Sequence, residues 1–149
     1  VLQGRHDTYP KRRGQTRVPE MLEYGITVGF GQDCVMDPWY SLGTGDMLDV
    51  AFMGLHVAQM TSPDDMRQCY RMITETSAQI MGLDHYGLAV GKRASLVVLD
   101  ASDPIEAIRL RAGRRAVVAK GKLIAEGPSR DYSLNLPGRP TRISRRLVR

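Results

Sequence analysis

The chain has 149 residues, 42% apolar and 25% charged, with 21 Lys and Arg against 16 Asp and Glu for a formal charge of +5. These are ordinary globular values, poor fits to a disordered, collagen-like or coiled-coil chain. No apolar run approaches the ~20 residues of a membrane-spanning helix, and no signal pattern opens the chain. Two cysteines, Cys34 and Cys69, cannot build a disulfide framework, so a reducing, cytoplasmic compartment is expected and no membrane partner.

The excess charge has an address. Residues 129–149 hold six arginines and one acid, Asp131, which leaves 15 bases and 15 acids in residues 1–128. The body is neutral, so the charge gives no reason to expect a nucleic-acid partner there. The chain opens on Val1 rather than Met, and Val1-Leu2-Gln3-Gly4 lacks both a polar start and a targeting pattern. The expectation is the interior of a longer chain.

Residues 1–15 are polar and turn-rich and read as a loop. Thr16 can cap a short helix, with Val18, Met21 and Leu22 at i, i+3, i+4, Pro19 in the first turn and Gly25 as the stop. Residues 26–31, Ile-Thr-Val-Gly-Phe-Gly, read as a short buried strand. A helix feeding a strand with polar residues at its C-terminal end is α/β grammar. Asp37-Pro38-Trp39-Tyr40 is a second loop. Thr44 offers an N-cap for an apolar helix to about Met60, and Ser62-Pro63-Asp64-Asp65 opens another that runs to Gly82. After Gly91 the chain becomes β-rich. The spacing predicts a buried strand over 95–100, a short helix over 104–111 and a hairpin of 116–119 with 123–125 about Lys120-Gly121. From Pro128 onward, prolines and arginines with little apolar period predict an extended tail.

Asp33 follows the 26–30 strand, where Gly31 lets the chain turn. Catalytic groups in parallel α/β folds gather at the carboxyl ends of strands. A carboxylate there can hold a divalent metal or shuttle protons; the plainer reading is a cap or turn aspartate. His6, His56 and His85 make no i, i+2 or i, i+4 pair, so no zinc motif is present. His56 reads as a satisfied core histidine and Cys69 as core. Cys34, beside Asp33, is less easily dismissed, and Trp39 is either packing or one wall of a pocket.

Several longer motifs go further. Leu2-Gln3-Gly4-Arg5, Asp7-Thr8-Tyr9-Pro10-Lys11-Arg12-Arg13-Gly14, Phe30-Gly31-Gln32-Asp33, Asp37-Pro38-Trp39-Tyr40 and Met53-Gly54-Leu55-His56-Val57 stand in the order that resembles the bacterial-type cytosine deaminases of the amidohydrolase superfamily. The likeness runs from residue 2 to about 126 and includes residues 91–100, which resemble the superfamily's closing strand.

The resemblance implies an α/β fold, namely the C-terminal part of a metal-dependent-hydrolase (β/α)8 TIM barrel plus part of a small β-sandwich. Residues 1–90 would be the barrel segment with 26–30 as its eighth strand, 91–127 part of the sandwich, and 128–149 an Arg/Pro-rich tail. It implies one divalent metal ion, iron or zinc, with Asp33 as ligand and proton shuttle and the other ligands upstream of Val1. Trp39 would lie near the base. The expected partner is a small nucleobase substrate, and the family tends to form homo-oligomers.

One departure bears on substrate. The family commonly reads His-Asp-Asp where this chain reads Gln32-Asp33-Cys34. Replacing a carboxylate beside the ring by a small, neutral thiol opens apolar room, so a substituted pyrimidine such as 5-methylcytosine, or a related amino-heterocycle, is expected. Another cyclic amidine or amide hydrolase, or a non-catalytic fragment, is the alternative.

Overall fold

The computed structural model describes residues 6–9, 14–128, 131–133, 135, 137–139 and 142–144. The expected loop over 1–5 and 10–13, the motif residues within it, and the tail's last five residues lie outside that set. The chain divides into two compact units, Val1–Tyr86 and Gly87–Arg149.

The first unit is helical. Helix α1 spans Val18–Glu23, with Pro19 in its first turn. Its N-cap is Arg17 rather than Thr16, which contributes only its carbonyl, to the Val18 N–H at 2.8 Å. The helix ends where predicted: the Gly25 N–H reaches the Leu22 carbonyl and the Ile26 N–H the Met21 carbonyl. Helix α2 spans Met47–Val57 and is capped by Asp46, whose side chain accepts from the Leu48 N–H. Thr44, the expected cap, instead accepts from the Asp46 N–H and donates to Asp49, so it braces the cap from outside. Helix α3, Pro63–Met72, opens on the predicted Ser62, a reciprocal capping box with Asp65.

The predicted single helix from 62 to 82 breaks, and α4 begins only at Glu75 and runs to Ile80. The Met72 carbonyl is the reason: it accepts from the Phe30 N–H at 3.0 Å and from the Ser77 hydroxyl. The Thr74 hydroxyl meanwhile bonds the Tyr70 carbonyl.

Residues 26–30, the predicted buried strand, form no ladder in the structure. Among the described residues no strand lies beside them, and Ile26 is 47% exposed. A strand requires a partner for its backbone groups, and among the described residues the segment has backbone bonds at its two ends, Ile26 to Met21 and Phe30 to Met72. It is gripped from two sides nonetheless. A Cβ added at Gly54 of α2 would stand 2.6 Å from the Phe30 ring, and one at Gly29 would stand 3.0 Å from Ile80 and Ser77. The buried side chains of this unit are Val18, Leu48, Leu55, Met60, Cys69 and Met72, with Ala51 and Ala78. Cys69 is core, as expected, its sulfur 4.0 Å from that of Met60.

The second unit carries a three-stranded antiparallel sheet in the order β1-β2-β3, formed by β1 Leu96–Leu99, β2 Arg114–Ala119 and β3 Lys122–Glu126. Lys120 and Gly121 have φ of 50° and 78°, the paired left-handed conformations that a two-residue hairpin requires. Helix α5, Pro104–Leu110, is capped by Asp103, whose carboxylate accepts from the Ile105 and Glu106 N–H groups. Strand β1 is not buried as predicted: Val97 and Val98 are about half exposed because no layer covers them among the described residues. The predicted extended tail contains a second antiparallel pair, β4 Asp131–Ser133 with β5 Arg142–Ser144. Cross-strand pairing there does not depend on an apolar period, so the sequence pattern carries no sign of it. No helix among the described residues is long and apolar enough to cross a membrane.

Candidate functional site

Beyond the 26–30 segment the chain makes a closed loop back to α2, and this loop carries all three sequence-predicted site residues. Asp33 has φ of 64° and Met36 has φ of 51°. Two non-glycine residues in the left-handed region within four positions are unusual. Between them the Cys34 thiol is half-buried, near the Asp37 and Asp33 carboxylates.

Asp37 organises the turn. Its Oδ1 accepts from the Trp39 and Tyr40 N–H groups, each at 2.9 Å, while its own N–H donates to the Tyr40 carbonyl at 3.3 Å. Gly43, which is buried, seals the loop: a Cβ built there would overlap the Cys34 carbonyl oxygen. No side chain fits.

The electrostatics follow from this geometry. The Cys34 thiol is pushed up from 9.0 to about 11, first by the neighbouring Asp37 side chain, then by desolvation and the charge of the two carboxylates. The Asp37 carboxyl is lowered by the nearby thiol and by the backbone donors of Tyr40 and Trp39. At neutral pH the raised Cys34 is a thiol and the lowered Asp37 an ionised carboxylate.

The exposed Asp33 carboxylate is a hard oxygen donor of the kind a divalent cation takes. Among the described residues no group of three or more His, Cys, Asp or Glu side chains could hold a metal ion, so a four-ligand site would draw at most two ligands from this loop. Trp39 is 71% exposed, and Met36 and Leu42 of the same loop are exposed as well. The loop thus brings Asp33 and Cys34 together and presents Trp39 on an apolar rim.

The histidines stand apart from it. His56 is exposed on α2 rather than in the core, its Nδ1 2.7 Å from the Phe52 carbonyl and its ring 4.4 Å from that of Phe52. A depression of about 560 Å3 lined by Arg17, Glu20, Glu23, Val57 and Gln59 among others includes none of the three predicted site residues. Sequence reasoning missed Asp37 and Gly43 as organisers. The Asp-Pro pair was their available signal, since aspartate readily accepts from backbone N–H groups two residues on. It also missed Gln32, whose Oε1 is buried without a hydrogen-bond partner.

The amidohydrolase family pattern matches residues 1–125, and the chain belongs to that family. Among solved structures it is similar to the 5-methylcytosine deaminase of Klebsiella pneumoniae liganded with 5-fluorocytosine, at 42% identity and a TM-score of 0.83 over 93% of this chain and 33% of that one. It is 34% identical over 110 residues to the N-isopropylammelide isopropyl amidohydrolase of Pseudomonas sp. strain ADP, which covers 73% of this chain and 27% of that protein. It is 31% identical over 125 residues to the pterin deaminase of Rhizobium rhizogenes, covering 83% of this chain and 28% of that protein. The resemblance read from the motifs therefore stands: the chain belongs to the amidohydrolase superfamily and has cytosine-deaminase-like relatives. It spans about a quarter to a third of the length of these relatives.

Proposed function

We propose that the chain forms the C-terminal third of a metal-dependent (β/α)8 deaminase that hydrolyses the exocyclic C–N bond of a free pyrimidine-like ring. The observation that carries this reading is Asp33, held with φ of 64° at the head of a loop whose rim is apolar. In it, residues 26–30 act as the eighth barrel strand and pair with strands from the rest of the protein, and residues 91–127 add to a β-sandwich.

A bound iron or zinc ion supplies the acidity that makes a water nucleophilic near neutral pH. The Asp33 carboxylate serves as one ligand and as the proton shuttle. It receives the proton of the attacking water and returns it to the exocyclic nitrogen as the C–N bond breaks, so the amine leaves as ammonia. Trp39 supplies an apolar wall for the ring. Cys34, small and protonated, leaves room beside the ring, which favours 5-methylcytosine over cytosine.

The test is ammonia release by the full-length protein from cytosine and 5-methylcytosine. Cys34→Asp should shift the ratio of kcat/KM values toward unsubstituted cytosine, and an unchanged ratio would sink the substrate assignment. A second reading, hydrolysis of an alkylated ring amine, is favoured by the likeness to the Pseudomonas N-isopropylammelide enzyme. Release of an alkylamine from N-isopropylammelide in the same assay would select it.

A further inference from the structure

We propose that Asp37 is a positioning residue, whose carboxylate closes the loop from Asp33 to Gly43 and so holds Asp33 in its left-handed conformation. The part this plays in catalysis rests on the deaminase reading above; the conformational claim does not.

Left-handed backbone is disfavoured for any residue with a Cβ, so it persists only where the surroundings over-determine it. Aspartate tolerates the region better than most, but Met36, at φ of 51°, has no side-chain acceptor to help it. The cause therefore lies in the loop. Two bonds converge on the Asp37 carboxylate, from the Trp39 N–H and the Tyr40 N–H. They fold the far arm of the loop over Asp37, whose carboxylate also lies near enough to the Cys34 thiol to raise it. Gly43 then packs against the Cys34 carbonyl, where nothing larger fits, so the near arm cannot relax outward. With both arms fixed, the peptide between Asp33 and Cys34 has one orientation, and the Asp33 side chain follows it. A reacting group that must stay within a fraction of an ångström of its target gains most from such a bracket.

The decisive experiment is a stability cycle on the full 149-residue chain. Asp33→Gly removes the Cβ penalty of the left-handed conformation and should raise the unfolding midpoint by about 3 °C. The same change made on top of Asp37→Ala should give no gain, since nothing then imposes the conformation, and on top of Asp37→Asn, which keeps an acceptor oxygen, the gain should return. An equal gain in the Asp37→Ala background, or none in the parent, overturns the proposal. Amide exchange in the unaltered chain is a second reading: the Trp39 and Tyr40 amides should be protected, and exchange at random-coil rates contradicts the bracket.

In the full-length protein, Asp37→Ala should lower kcat per folded molecule about tenfold with KM changed less than about threefold, and Asp37→Asn should recover most of it. An unchanged kcat removes the catalytic part of the proposal. A full-length protein that releases no ammonia from any ring refutes the deaminase reading, and the stability cycle still decides the loop.

Discussion

Asp33, Cys34 and Asp37 have to be understood together, because each owes its state to the others. The thiol lies near the Asp37 carboxylate, which raises the thiol and lowers the carboxyl at once. The signs of the pH dependence follow. A thiol whose folded value lies above its ordinary 9.0 adds stability that is complete below pH 9 and is lost as the pH climbs toward about 11. A carboxyl held below its ordinary 3.8 adds stability that is present above that value and is lost as the pH falls through its lowered one. The loop is therefore tightest between these limits. Alkylation of Cys34 by iodoacetamide should be slow at pH 8 and accelerate between pH 9 and 11, and Asp37→Ala should move the rise back toward pH 9. A Cys34 that alkylates at pH 8 as fast as a free thiol contradicts the influence of Asp37. Cys69, fully buried and likewise pushed up to about 11, should stay unmodified throughout, which makes it an internal reference.

Among the elements, the close approach of α2 to residues 26–30 sets the position of the loop's first arm. Gly54→Ala gains about 1 kcal/mol of helix propensity but drives a methyl to 2.6 Å from the Phe30 ring, an overpacking cost of about 1–3 kcal/mol. The net expectation is a loss of about 1 kcal/mol in denaturant unfolding, and a gain in stability would show that the contact is slack. Asp103→Ala removes both capping bonds of α5 and should cost about 1 kcal/mol, read in the same experiment; no change would mean that the cap is idle. Ser62 with Asp65, the stop at Gly25 and the turn at Lys120-Gly121 were legible in the sequence because each is decided by neighbours within four residues. The break after Met72 was not, because it depends on the Phe30 N–H, forty-odd residues away in the chain. The cap at Asp46 rather than Thr44 was a choice between two good local acceptors. Asp33, Cys34 and Trp39 were legible as candidates from their motifs, whereas the roles of Asp37 and Gly43 became visible only once the loop was seen closing on itself.

For the molecule as a whole, large apolar groups stand open to solvent on both units: Ile26, Met53, Ile80 and Met81 on the first and Leu123 and Ile124 on the second are all about half exposed or more. The 149-residue chain alone should associate, appearing above its monomer mass of 16.6 kDa in light scattering, and should hold no stoichiometric iron or zinc. A monodisperse monomer, or one metal per chain, would contradict the account of a site shared with other parts of a longer protein. The central claim concerns one carboxylate, and one measurement addresses it most directly: ammonia release from 5-methylcytosine by the full-length protein and its Asp33→Asn variant. If Asp33 carries the proton, kcat falls by at least about a hundredfold in the variant while the protein stays folded; a variant that retains kcat within a few-fold of the parent would contradict it.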